Sequence, residues 1–253
     1  MRLLVVAFFI ALTALSALNA HADKKAVTVA VSANALAPVK EIAAAFEKKT
    51  GVKVTVISGS TGKLYSQIEQ GAPFDIFLSA DNTHTVKLED KGLAIKGSRF
   101  VYAEGSLALA IKKDYSTLDI KAALSKAKKI AIANPSTAPY GAAAIEALKR
   151  LGIHSEAEKK FVYGESAAQA YAFFKSGNVD AAFIPLSSVY GAGSTHIPVD
   201  AKLHTPILQE AVLLKNASKE AAEFANFLKS AKSLEIFKKY GYTVITAKKL
   251  AKP

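Results

Sequence analysis

The chain is predicted to fold as α/β, in two lobes that are each a mostly parallel sheet flanked by helices, with a cleft between them. Three observations carry this expectation. Short β-branched, apolar runs alternate with helix-period segments along most of the chain, the signature of strand–helix–strand units. The alternation pauses at "RFVYAEGSLALAIKK" (99–113) and then restarts. No repeat, low-complexity tract or Pro/Ser-rich linker separates the halves, so the chain is expected to cross near 100–106 and return near 205–212. Residues 23–104 then form the first part of lobe 1, 105–208 form lobe 2, and 209–253 return to lobe 1.

The elements follow in order. "AVTVAVS" (26–32) reads as a strand, and "PVKEIAAAFEKKTG" (38–51) as a helix with proline near its start and glycine past its end. "VKVTVIS" (52–58) is a strand and "KLYSQIEQG" (63–71) a helix closed by glycine. "FDIFLSA" (74–80) is a strand, and Asp81 is placed to cap the helix through "HTVKLEDKG" (84–92). After the pause, "KKIAIAN" is a strand, "GAAAIEALKRLG" a helix, "KKFVYG" a strand, "SAAQAYAFFKSG" a helix and "VDAAFIP" a strand. "EAVLLKN" follows as a strand, then two helical stretches, "KEAAEFANFLKS" and "KSLEIFKKYG".

The first residues, "MRLLVVAFFIALTALSALNAHA" (1–22), read as an export signal: Arg2, an apolar core from Leu3 to Leu18, and a small-x-small cleavage site at Ala20-His21-Ala22. The core is shorter than the roughly 20 residues that span a bilayer. Cleavage is expected after Ala22, with the mature chain starting at Asp23. The chain has no cysteine, which excludes disulfides, thiolate metal sites, a cysteine nucleophile and lipid attachment through cysteine. A cleaved, unlipidated, exported chain points to the periplasm. The formal net charge is +12, but the lysines lie scattered along helices such as "KAALSKAKK" rather than clustered with aromatics. They read as solvated helix faces with a modest pull on anions, not as a nucleic-acid surface.

The stretch "VISGSTGKLYSQI" (56–68) has the look of a phosphate loop, but Leu64 follows Gly62-Lys63 where the NTPase motif needs Ser or Thr. Ser60-Thr61-Gly62-Lys63 also matches the Ser-x-x-Lys of serine β-lactamases. There, however, a Lys-Thr-Gly lies downstream of the serine, whereas Lys49-Thr50-Gly51 precedes it and Ser-Asp-Asn is missing. The histidines show no metal spacing, and no nucleophile, base and orienting group assemble, so catalysis is not expected. What recurs is a turn. Strands run into helix starts through small or hydroxyl residues at Ser32-Ala33-Asn34, Ser60-Thr61-Gly62, Pro139-Tyr140-Gly141 and Glu165-Ser166-Ala167. Each helix start leaves N–H groups without internal partners and carries roughly half a positive charge. Four such ends aimed at one point would supply about two positive charges, enough to face a dianion. Ligands of open α/β sheets sit beyond the carboxyl ends of the strands, where these turns lie.

The blocks "SANALAPVKEIAAAFEKKTG", "SGSTGKLYSQIEQGAPFDIFLSAD", "GSRFVYAEGSLALA", "IAIANPSTAPYGAAAIEALKRLG" and "EIFKKYGY" resemble, in order, the periplasmic molybdate-binding proteins of ABC importers. The resemblance runs from about 26 to 247. It implies a type II two-lobed periplasmic binding protein that takes molybdate or tungstate in the cleft without turnover, needs no other cofactor, and delivers the ion to an inner-membrane ABC permease. A monomer is expected. Carried over by position, it assigns ligand contacts to Ala33 and Asn34 in the first turn, to the hydroxyl of Thr61, and to the backbone N–H groups of Tyr140 and Ala167, with Ser60 beside Thr61 also taken as ligand-binding. Some members place a tyrosine near Pro185 that donates its phenol to the anion. Proline has neither N–H nor hydroxyl, so that contact is lost or replaced here, with Asn34 the candidate replacement. The competing readings are the same fold tuned to another tetrahedral oxyanion such as sulfate, a secreted serine hydrolase acting through Ser60 and Lys63, and an adhesin using the basic face.

Overall fold

The computed structural model describes residues 26–190 and 193–245; the leader read in residues 1–22 lies outside them. Two five-stranded sheets form the frame. The first is ordered β2-β1-β3-β10-β4 and contains β1 (Ala26–Ser32), β2 (Lys53–Gly59), β3 (Ile76–Ser79), β4 (Phe100–Gly105) and β10 (Ile207–Leu213). The second is ordered β7-β6-β8-β5-β9 and contains β5 (Leu107–Ile111), β6 (Ile130–Ala133), β7 (Phe161–Gly164), β8 (Ala181–Pro185) and β9 (His196–Pro198). Only Ser106 separates β4 from β5, so one extended stretch carries the chain from sheet to sheet. It comes back between β9 and β10.

The sheets are mixed rather than wholly parallel. β1 pairs in parallel with β2 and β3, and β6 with β7 and β8. β10 runs antiparallel to β3 and β4, and β5 antiparallel to β8 and β9. The reason lies in the connections. Parallel neighbours need a crossover helix, and the strands that pass between the sheets have none.

Helices cover both faces of each sheet, and the two-residue period of the strands sorts the core. Val27, Val29 and Val31 of β1 pack with α1 (Leu36–Thr50), α8 (Lys219–Leu228) and α9 (Ala231–Lys239). Ala30, between them, faces Leu64 and Ile68 of α2 (Thr61–Glu69) and Leu88 of α3 (Thr83–Asp90). In the second sheet, Leu107, Leu109 and Ile111 pack against α4 (Ile120–Lys126), α5 (Pro139–Arg150) and α6 (His154–Glu158). Ala108 and Ala110 face α7 (Ala167–Lys175) on the other side. A strand with apolar residues on both faces is a buried strand, which is why these runs read as nearly continuous hydrophobics. Asp81 does accept the His84 N–H, at 3.0 Å, in the entry to α3. No helix among the described residues is long and apolar enough to cross a membrane.

The two lobes touch around a central gap. The Gly62 N–H at the start of α2 donates to the Thr137 carbonyl of the other lobe at 2.9 Å. A Cβ on Gly62 would come within 3.1 Å of the Thr137 backbone, so only glycine lets the lobes meet there without displacement. At the crossing strand a Cβ on Gly105 would overlap the Tyr140 phenol, which fills the space a side chain would need.

Candidate functional site

A small cavity, about 10 Å³, lies in this gap, and all six candidate residues line it: Ala33, Asn34, Ser60, Thr61, Tyr140 and Ala167. Ser32, Ala80, Ala138 and Pro139 complete the wall. None of these ten residues carries a charged side chain. Asn34, Ser60, Thr61, Tyr140 and Ala167 are buried, and Ala33 is half-buried. Pro185 ends β8 and is not part of the wall.

The six candidate residues arrive there through helix starts. A 3-10 turn, Ala33–Ala35, leads from β1 directly into α1. Ser60 is the N-cap of α2, its Oγ accepting the Lys63 N–H at 3.4 Å. The Gly62 N–H goes to Thr137 and the Leu64 N–H to the Ser60 carbonyl, so Thr61 N–H is the first-turn donor these bonds leave over. In α5 the arrangement differs. Pro139 opens the helix and has no N–H, and Gly141 and Ala142 both donate to the Ala138 carbonyl, which leaves the Tyr140 N–H. Ser166 caps α7 through the Gln169 N–H, and Ala167 is the first residue of that helix.

The hydroxyl geometry adds a further donor. Ser32 Oγ and Thr61 Oγ1 are 2.7 Å apart, and the Ala80 N–H donates to Thr61 Oγ1 at 3.4 Å. Two hydroxyls hold two hydrogens, and the bond between them uses one. Whichever residue donates, one O–H remains for the cavity. Ser32, which the sequence places in the first turn, joins the site through its pairing with Thr61, 29 residues away.

Asn34 behaves differently from the expectation that its side chain replaces a lost phenol. Its Nδ2 donates to Gln209 Oε1 at 2.6 Å and to the Tyr242 hydroxyl at 2.9 Å. Both amide hydrogens thus bind protein partners behind the cavity. Gln209, Tyr242 and Tyr102 are buried there, and sequence reasoning missed all three because they sit in ordinary strand and helix-end positions. Burial pushes the Tyr242 phenol up to about 12 and the Tyr140 phenol well above its usual range, with Tyr242 and Tyr102 as neighbours reinforcing the Tyr140 shift. These phenols therefore stay neutral at physiological pH and act only through hydrogen bonds.

Lys63, the second half of the Ser-x-x-Lys pattern, pairs with a carboxylate of the other lobe. Its Nζ lies 3.4 Å from Glu165 Oε2 of the other lobe, and both side chains are exposed. No base stands beside the Ser60 hydroxyl in that pairing. A wider groove of about 370 Å³ adjoins the cavity through Ala80, Ala138 and Pro139, but Asp81 and Glu146 line it. Carboxylates repel a dianion and accept rather than donate hydrogen bonds, so the neutral cavity is the better anion site of the two.

Residues 27–243 match the family of bacterial extracellular solute-binding proteins. The chain is 45% identical over 221 residues to the molybdate-binding protein ModA of Rhodobacter capsulatus, covering 85% of this chain and 87% of that one. It is 46% identical over 226 residues to the ModA of Azotobacter vinelandii, covering 85% and 89%. The solved periplasmic molybdate-binding protein of Azotobacter vinelandii superposes with a TM-score of 0.81 at 33% identity, over 87% of this chain and all of that one. Two lobes, each a sheet flanked by helices, around a gap walled by helix starts are the type II arrangement those relatives share, and the chain belongs to the bacterial extracellular solute-binding protein family.

Proposed function

We propose that this chain captures molybdate or tungstate in the interlobe cavity and presents it to an ABC permease of the inner membrane, with no chemical turnover. The observation that carries the reading is the cavity wall: four helix entries, with backbone N–H groups and hydroxyls, converge on it, and no charged side chain lines it. Molybdate and tungstate are doubly negative and only accept hydrogen bonds. A wall of donors without a carboxylate suits them and disfavours a protonated phosphate, which would need an acceptor. Hydrogen bonds to a charged acceptor are the strong kind, and the helix starts add partial positive charge without a lysine. On this reading Ala33, Asn34, Thr61, Tyr140 and Ala167 contribute backbone donors, and the Ser32–Thr61 pair a hydroxyl, with Ser60 fixing the loop.

Closure supplies the affinity. Donors come from both lobes, so only the closed form makes the full set, and the ion favours that form by the difference in contacts. Sulfate shares the charge and the tetrahedral shape, and its shorter bonds would leave the contacts of a cavity sized for a metal oxyanion stretched. The protein acts as a monomer in the periplasm after removal of its leader near Ala22.

Thermal unfolding with molybdate, tungstate or sulfate at equal low micromolar concentration tests this. Binding to the folded state alone stabilises by about 2.7 kcal/mol when ligand stands at 100 times its dissociation constant. Large upward shifts of the midpoint with molybdate and tungstate, and a small one with sulfate, are expected. Equal shifts with all three would reject selection by size.

A further inference from the structure

We infer that Ser187 is a positioning residue for the cargo: its hydroxyl reaches across the cleft to hold the Asn34 peptide, and so holds the lobes closed without touching the ion. The inference rests on the molybdate reading above. Ser187 sits in the 3-10 turn Leu186–Val189 that follows β8 of the second lobe, and it is 7% exposed. Its Oγ donates to the Asn34 carbonyl at 2.8 Å. The Tyr242 hydroxyl donates to the same oxygen at 2.8 Å and lies 3.3 Å from Ser187 Oγ.

These bonds restrain Asn34, a wall residue, through both its carbonyl and its side-chain amide. Gln209 and Tyr242, which hold the amide, belong to the same lobe as Asn34 and stay with it in any opening motion. Ser187 and the Tyr140 phenol come to this cluster from the other lobe, and Ser187 is the one that bonds the Asn34 carbonyl, so that bond requires the lobes to meet. Pro185, two residues earlier, offers neither N–H nor hydroxyl; Leu186 packs beside Gly241 and the adjoining Tyr190 against Tyr240, and Ser187 makes the turn's hydrogen bond to the first lobe. A bond present only in the closed form raises the population of the binding-competent state, and the apparent affinity rises with that fraction.

Removing the hydroxyl should therefore act on release. In calorimetric and stopped-flow titrations with molybdate, Ser187→Ala is expected to weaken binding about fivefold, the scale of one neutral hydrogen bond, through faster dissociation at unchanged association. Its ligand-free melting temperature should equal that of the wild type. Tyr242→Phe removes the second donor to the Asn34 carbonyl. Combined with Ser187→Ala it should cost more than the product of the two single effects, because a buried carbonyl is then left without a partner. Wild-type dissociation and affinity in Ser187→Ala would overturn the inference. So would weaker binding accompanied by a matching fall in ligand-free stability, which marks a merely structural hydroxyl. Absence of molybdate binding by the wild-type chain is a separate result: it would reject the functional reading and the inference with it.

Discussion

The floor of the cleft and its mouth handle charge in opposite ways. At the floor the wall is mostly buried and uncharged, and its polarity comes from N–H and O–H groups fixed by helix starts. At the mouth Lys63 and Glu165 carry full charges across the same gap, yet their side chains are 59% and 76% exposed. Water and salt screen an exposed pair, and such pairs contribute about 0–1 kcal/mol. A buried dipole faces little screening, so a neutral donor at the floor does more for an anion than an ammonium group at the rim. Neutral donors also leave no buried charge behind when the ion departs, which a carrier that must release its cargo requires.

Three substitutions would break or sharpen that contrast. The largest effect is expected from Ala167→Asp, which puts a charge into the neutral floor. Aspartate is well tolerated in the first turn of a helix, so folding should survive, while like-charge contact costs several kcal/mol and should weaken molybdate binding by at least about 100-fold. Calorimetric titration reads this directly, and retained affinity would mean that the ion sits elsewhere. Next comes Thr61→Val, which deletes a neutral hydroxyl at nearly constant volume. A loss of about 1.5–3 kcal/mol of binding free energy is expected, the worth of a hydrogen bond to a charged group, and an unchanged dissociation constant would remove Thr61 from the site. The smallest effect belongs to Lys63→Ala. Less than about a twofold change is expected at physiological salt; a loss of a hundredfold would reverse the comparison and place the compensating charge at the mouth.

Most of the frame was legible in the residues. The alternation in "AVTVAVS" and the glycine stops at Gly51, Gly71 and Gly152 arise from interactions within a few residues, and each sits where the structure ends a helix. The short pieces were not legible: α6 has five residues and β9 three, too few for a period to show. The wall residues were legible as a set of similar turns, because a helix start has a local signature of small, hydroxyl and proline residues. Their convergence on one cavity was not contained in that signature.

The sequence by itself determined where strands stop and helices begin, and hence which backbone donors lack internal partners, because those outcomes depend on neighbours in the chain. Only the tertiary structure decided that Asn34 would be held by Gln209 and Tyr242, 175 and 208 residues away, and that Ser187 would reach it from the opposite lobe. Hydrogen bonds of that range depend on how two sheets are set against each other, and no local pattern of residue types encodes that relation.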